Sequence, residues 1–288
     1  MHCMTGGRAF SLRLPWIFLF LSLSGVAGLG GCSVFRPAPA PSTTPSVSST
    51  SSDMPSAEKL VSGIETRRQT LTSLRGLARV VYKDAQEKGT AKQAIAVSAP
   101  DRFRWELFSP IGVAALVTSN GKVLSTYFPG EKVLYRGSAT EENVARFTRV
   151  LLSPQEIVGL LLGTPVLPPT NASCTVRLDA YWDWYHLHCP ASVKEGLDLW
   201  FEKQTLRLRR AEMSTETGTV TKRMDLADYR IVGKQIFPFE IVLFDFQHQQ
   251  QASIFYERVE LNPQPADSIF TLASIAGVRE IDADAFNR

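Results

Sequence analysis

Hydrophobic positions in this chain follow two periods. Across residues 57–74, Leu60, Ile64, Leu71 and Leu74 recur at helical spacing, so one stripe of a helix must be buried. Ser56, after Pro55, is placed to cap that helix. Period two then takes over, with strands predicted at 77–82, 91–98 and 102–107. The last is the clearest: Phe103, Trp105 and Leu107 point one way, Arg102, Arg104 and Glu106 the other. Further strands at 114–118, 123–128 and 133–135 are separated by Asn120-Gly121 and Pro129-Gly130 turns.

Two short helices interrupt the strands. Ser138 with Glu141 reads as a capping box opening an amphipathic stretch through Val144, Phe147 and Leu151. Ser153-Pro154-Gln155-Glu156 opens a second, which runs through Ile157, Val158, Leu160 and Leu161 and stops at Gly163 and Pro165. Leu160-Leu161-Leu162 is more apolar than a surface helix needs, so this helix either packs on a sheet or lids a cavity. Strands follow at 175–178, 184–188, 197–201, 206–213, 220–227, 239–246, 254–261 and 269–272. The strand at 239–246 is apolar on both faces, as a sheet wrapped around an interior and covered outside by a helix would require. The expected class is mainly β (α+β): a strongly curved antiparallel sheet or β-barrel, with helices on one side.

The start of the chain sets its address. An apolar run across residues 14–29 follows Arg8 and Arg13 and ends in Leu29-Gly30-Gly31-Cys32. That is the layout of a secretory signal with a bacterial lipobox, and it is short for a transmembrane helix. Residues 1–31 are therefore expected to be a signal peptide and Cys32 the lipidated first residue of the mature chain. Residues 32–56, rich in Pro, Ser and Thr, form a tether that cannot bury a core. Residues 57–288 suffice for one domain. The full chain carries a net charge of +3, and loss of the signal leaves 29 basic against 28 acidic residues. That balance offers no field for nucleic acid.

Candidate chemistry is sparse. Cys174 and Cys189 lie symmetrically about Tyr181 and Trp182, so a hairpin turning there would bring the sulfurs together. A disulfide in an oxidising envelope is the favoured reading, and metal ligation the alternative. His186 and His188 share a strand face, yet no third ligand is evident and zinc needs three or four. Asp179 and Asp183 flank a turn and read as solvated. With no nucleophile elbow, phosphate loop or dinucleotide fingerprint, neither enzymatic activity nor a cofactor or metal is expected.

Several stretches, in order, resemble the LolA/LolB lipoprotein-carrier superfamily. They are Ser98-Ala99-Pro100-Asp101-Arg102-Phe103-Arg104-Trp105, Ser109-Pro110-Ile111-Gly112, the Ser119-Asn120-Gly121-Lys122 turn with Tyr127-Phe128-Pro129, Leu161-Leu162-Gly163-Thr164-Pro165, and Ile269-Phe270-Thr271-Leu272 with Gly277-Val278 and Asp282. The resemblance implies an incomplete β-barrel with a helical lid, whose apolar interior receives the acyl chains of lipoproteins or phospholipid. The lipobox favours a LolB-like role: a lipid-anchored, monomeric receptor on the periplasmic side of the outer membrane, taking cargo from a periplasmic carrier protein. Phe103, Trp105, Leu107 and Leu116, with Ile157 and Leu161 under the lid, are the expected cavity walls. Pro110-Ile111-Gly112 is the expected membrane or cargo loop; Ile111 is either exposed there or a buried anchor. Ala99 stands where the carrier has a lid-latching arginine. A second reading is a scaffold lipoprotein that binds an envelope protein through a sheet edge.

Overall fold

The computed structural model describes residues 54–167, 174–190 and 195–287. The signal segment, Cys32 and the tether as far as residue 53 lie outside the described residues. Helix α1 (Ala57–Thr70) starts as expected, with the Lys59 N–H donating to Ser56 Oγ at 3.2 Å and Leu60 and Ile64 buried. It ends earlier than its apolar spacing predicts. Leu71 leaves helical geometry, and Leu74 lies within β1 (Ser73–Lys83), opposite Leu261 and Val97. Leucines three apart satisfy a helix stripe, but here the pairing of a strand on both sides takes the second one.

Strands β1, β2 (Lys88–Ser98), β3 (Arg102–Ser109), β4 (Gly112–Asn120), β5 (Val123–Phe128) and β6 (Val133–Ser138) form one antiparallel meander. A second comprises β7 (Thr175–Asp179), β8 (Trp184–Cys189), β9 (Glu195–Glu202), β10 (Leu208–Thr215), β11 (Val220–Val232), β12 (Gln235–Asp245) and β13 (Gln250–Leu261). Pairing of β13 with β1 fuses them, and β14 (Arg279–Asp282) adds a parallel strand beside β6. The result is one curved, unclosed 14-stranded sheet with β14 and β7 at its free edges: an incomplete barrel with helices. Because β6 and β7 lie near opposite edges, the chain between them must cross the sheet, and helices α2 (Glu141–Thr148) and α3 (Pro154–Leu162) make that crossing.

Some local expectations change. The cap of α2 is Thr140, not Ser138, whose N–H and hydroxyl are taken by the Asp284 carboxylate at 3.0 and 2.9 Å at the end of β6. Residues 269–272 do not form a strand. Asp267–Phe270 is a 3-10 turn that buries Phe270, with the Arg102 guanidinium 5.5 Å from its ring centre. Towards the end of β12, the Arg223 guanidinium lies 4.2 Å from the Phe244 ring centre. Cys174 and Cys189 are disulfide-bonded across the β7–β8 hairpin. Closing so short a loop stabilises by roughly 3 kcal/mol in the chain-entropy account. Asp179 is not merely solvated: it accepts the N–H groups of Tyr181 and Trp182 in the hairpin turn, and Trp200 Nε1 at 3.1 Å.

Helix α3 is the most firmly seated helix. Ser153 and Glu156 form the expected capping box, and Glu156 also faces Lys222 Nζ on β11 at 3.5 Å. Ile157, Val158, Leu160, Leu161 and Leu162 are all buried. The Tyr256 hydroxyl on β13 donates to the Leu161 carbonyl at 2.9 Å, and complete burial raises that phenol far above its ordinary pKa. The helix stops at Gly163 with φ +62°, where a Cβ would stand 2.8 Å from the Pro238 ring. Gly163→Val is therefore expected to lower unfolding free energy by more than about 1 kcal/mol in urea denaturation. An unchanged midpoint would refute this account of the helix stop.

Candidate functional site

Helix α3 does not fill the space it covers. A cavity of about 340 Å³ lies between α3, the end of α2 and the sheet face formed by β1–β4 and β13. The sheet contributes Val80, Ile95, Leu107, Val117 and Ile254, and α3 contributes Ile157, Leu160 and Leu161. Trp105 adds an aromatic wall, and its buried Nε1–H has no hydrogen-bond partner among the described residues. A buried donor left unmade costs about 1–3 kcal/mol. The cavity is thus mainly apolar, with Thr90, Gln93 and Thr148 among its polar lining residues. Such lining suits a hydrocarbon, and the volume is at the small end of ligand pockets, roughly 300–1,000 Å³.

One end is a polar mouth made by Tyr82, Glu87 and Arg149. Arg149, in left-handed conformation at the end of α2, pairs with Glu87 before β2, and its guanidinium is 5.5 Å from the Tyr82 ring centre. Burial, then a 2.7 Å bond to Asp84, raises the Tyr82 phenol above its usual pKa; the same bond helps hold Asp84 below its own. Both side chains of the Arg149–Glu87 pair are over half exposed, at 53% and 54%, so the contact is worth about 1 kcal/mol or less. It is a tie that solvent can replace.

Of the expected walls, Trp105, Leu107, Ile157 and Leu161 converge on the cavity. Phe103 does not line it; it is fully buried behind Trp105, ring centres 5.0 Å apart. Leu116 is a correction. Ala115 and Val117 face the cavity, so alternation turns Leu116 to the other side of β4. A slip of one residue in reading a strand moves a side chain to the wrong face. Pro110 and Ile111 form the two-residue turn between β3 and Gly112 at the start of β4, and Ile111 is 99% exposed, so it is no buried anchor. Ala99 offers no latch; the tie between Arg149 and Glu87 joins the helical crossing to the β1–β2 hairpin instead. Sequence reasoning missed that pair, which is 62 positions apart with no local signal. Val80 and Ile95 were within reach, since both alternate along predicted strands.

His186 and His188 share a face, as expected, and both approach Asp198 Oδ1 on β9, at 2.5 and 2.9 Å. Arg177 Nε donates to His186 Nδ1 at 2.8 Å, so His186 carries its proton on Nε2 and donates to Asp198. Both nitrogens of His186 are thereby occupied, and no group of three or more metal-ligating side chains occurs among the described residues. No described helix is long and apolar enough to cross a membrane.

Two solved structures share this architecture. A domain described as an outer membrane lipoprotein-sorting protein from Vibrio parahaemolyticus is 12% identical, with a TM-score of 0.52 over 75% of this chain and 95% of its own. A DUF1329 family protein from Desulfovibrio piger is 14% identical, with a TM-score of 0.54 over the same shares, 75% and 95%. The chain shares the fold of these two proteins. A LolA superfamily protein from Nitrosomonas europaea is 13% identical, covering 76% of this chain and 99% of its own, with a TM-score of 0.49. A family model described as an uncharacterized protein matches residues 195–276, the span from β9 through the Asp267–Phe270 turn. No curated protein matches the chain. In this fold the cavity is where sheet and crossing helices face each other.

If the cavity is a true void, its walls respond unequally to truncation. Ile157→Ala, at a site 1% exposed, is expected to cost about 2–5 kcal/mol. Leu107→Ala, half-exposed on the wall, should cost under about 1.5 kcal/mol, because little packing is lost. Equal losses in guanidinium unfolding would mean that the space is filled.

Proposed function

We propose that this protein is a LolB-like, lipid-anchored receptor that holds an acyl chain of a lipoprotein or lipid in the cavity under α3 and helps insert it at the outer membrane. The observation that carries the reading is the roughly 340 Å³, mainly apolar cavity between α3 and the sheet. An acyl chain supplies methylenes against these walls, at about 0.8 kcal/mol each. The volume is about twice that of the 150 Å³ cavity that holds benzene, so it admits one chain or part of one. Transfer needs no covalent step, and no catalytic residue is invoked. Lipidation at Cys32 would fix the domain to the outer membrane through the tether, and Ile111 would touch the bilayer or the cargo.

The test is equilibrium binding of a fluorescent fatty acid, with native mass spectrometry for co-purified lipid. Uptake at micromolar concentration is expected, and Trp105→Glu should abolish it while circular dichroism stays native. Glu87→Gln should speed exchange several-fold with little change in stability, because it removes only the exposed tie at the mouth. Ile111→Asp should keep binding but slow delivery to phospholipid vesicles. No uptake together with no co-purified lipid would sink the proposal.

A further inference from the structure

A second cleft lies beside α1. It has a volume of about 320 Å³ and sits between α1 and β9–β12, sharing no lining residue with the first cavity. Its apolar walls include Leu60, Ile64, Phe201 and Ile236, and its charged groups are Lys59, Arg67 and Arg207; no carboxylate lines it. Above Gly63 a Cβ would meet nothing within 4 Å, so the helix side of the cleft is open.

The two arginines are incompletely satisfied. Arg67 Nη1 donates to the Ile236 carbonyl at 2.9 Å, but its Nη2 is buried with no partner among the described residues. Arg207 Nε is likewise buried and unpartnered. Both guanidinium groups act on Tyr229, which lines the same cleft, and that of Arg207 lies 5.8 Å from its ring centre. The Tyr229 hydroxyl is spent on the Leu208 carbonyl, and burial pushes its pKa up to about 12, so it supplies no counter-charge. Glu202, five residues before Arg207, accepts from the Thr205 hydroxyl. Burial lowers the pKa of Arg67 from its ordinary value, the mark of a cation held away from water. A buried cation whose donors stay empty is costly to keep, and an oxyanion is what would relieve it.

We propose that this cleft is a second binding site, for a single-chain amphiphile whose carboxylate or phosphate accepts from Arg67 and Arg207 while its hydrocarbon lies over Leu60, Ile64 and Phe201. The apolar walls argue against a free inorganic ion, and the volume against a two-chain lipid. The site goes beyond the acyl-chain cavity and could exist without it.

Isothermal titration of the full chain with oleate tests the assignment, with Trp105→Glu disabling the first cavity and circular dichroism confirming the fold. The Trp105→Glu protein should still bind oleate. Adding Arg207→Gln, at a half-buried position, should weaken that binding about tenfold or more. Arg67→Gln should do the same. Oleyl alcohol, which has the tail without the charge, and inorganic phosphate, which has the charge without the tail, should not occupy the site. Preference for lysophosphatidylglycerol over oleate would identify a lipid phosphate as the ligand group, and the reverse a fatty-acid carboxylate. Binding within twofold of the parent in both arginine variants would overturn the proposal. So would oleyl alcohol or phosphate alone binding there as tightly as oleate. Loss of all oleate binding in Trp105→Glu would leave the first cavity standing and remove this site. Loss in Arg207→Gln alone, with none in Trp105→Glu, would remove the first cavity and leave this one.

Discussion

The hydroxyl of Tyr256 on the carbonyl of Leu161 holds the centre of this molecule together. The chain finishes its first meander near one edge of the sheet and must begin the second at the other. Whatever links them crosses the face of the sheet, and that link needs a fixed height above it. Tyr256 sets the height at the end of α3, Glu156 sets it at the start by reaching Lys222, and Gly163 lets the chain leave without colliding with Pro238. A helix held at both ends cannot sink into the sheet. The void beneath it follows from that, because packing could fill the space only if the helix dropped.

Stability and binding capacity then pull in opposite directions. The walls under α3 forgo contacts, the Trp105 N–H forgoes a partner, and two arginines under α1 do the same. A protein selected only for stability would fill these spaces and replace those donors, since buried groups without partners are what mutation removes most profitably. The compensating strength lies in the fourteen-strand ladder, the disulfide and the fully buried side of α3. The exposed pair at the mouth contributes little by comparison, as befits the part that has to open.

Much of the architecture is legible in the sequence because alternation is local. The faces of β3, the capping box of α3 and the partnership of Cys174 with Cys189 each follow from residues within a few positions or from simple symmetry. Errors fall where a distant partner decides. Leu74 reads as helix until Leu261 claims it for the sheet, and Ser138 reads as a cap until Asp284 takes its hydrogen bonds. Strand β14 has a single apolar residue, Ile281, and exists because β6 offers it an edge. Leu116 was misplaced by one step of parity. The cleft under α1 left no trace in the sequence, since nothing local shows that Arg67 and Arg207 converge on one tyrosine.

The disulfide has a consequence for how the domain keeps to itself. An open sheet has two unpaired rims, and unpaired rims invite other chains to add on. At one rim, β14 is only four residues long and carries Arg279, Glu280 and Asp282. At the other, β7 is five residues long, buries none of them, and is held covalently to β8 through Cys174 and Cys189. Cutting that bond would leave β7 with little to retain it and would present β8, with its buried Tyr185 and Leu187, as a new rim. The oxidation state of one cysteine pair therefore governs whether the sheet ends in a blunt border or a sticky one, which ties the good behaviour of the folded domain to an oxidising compartment.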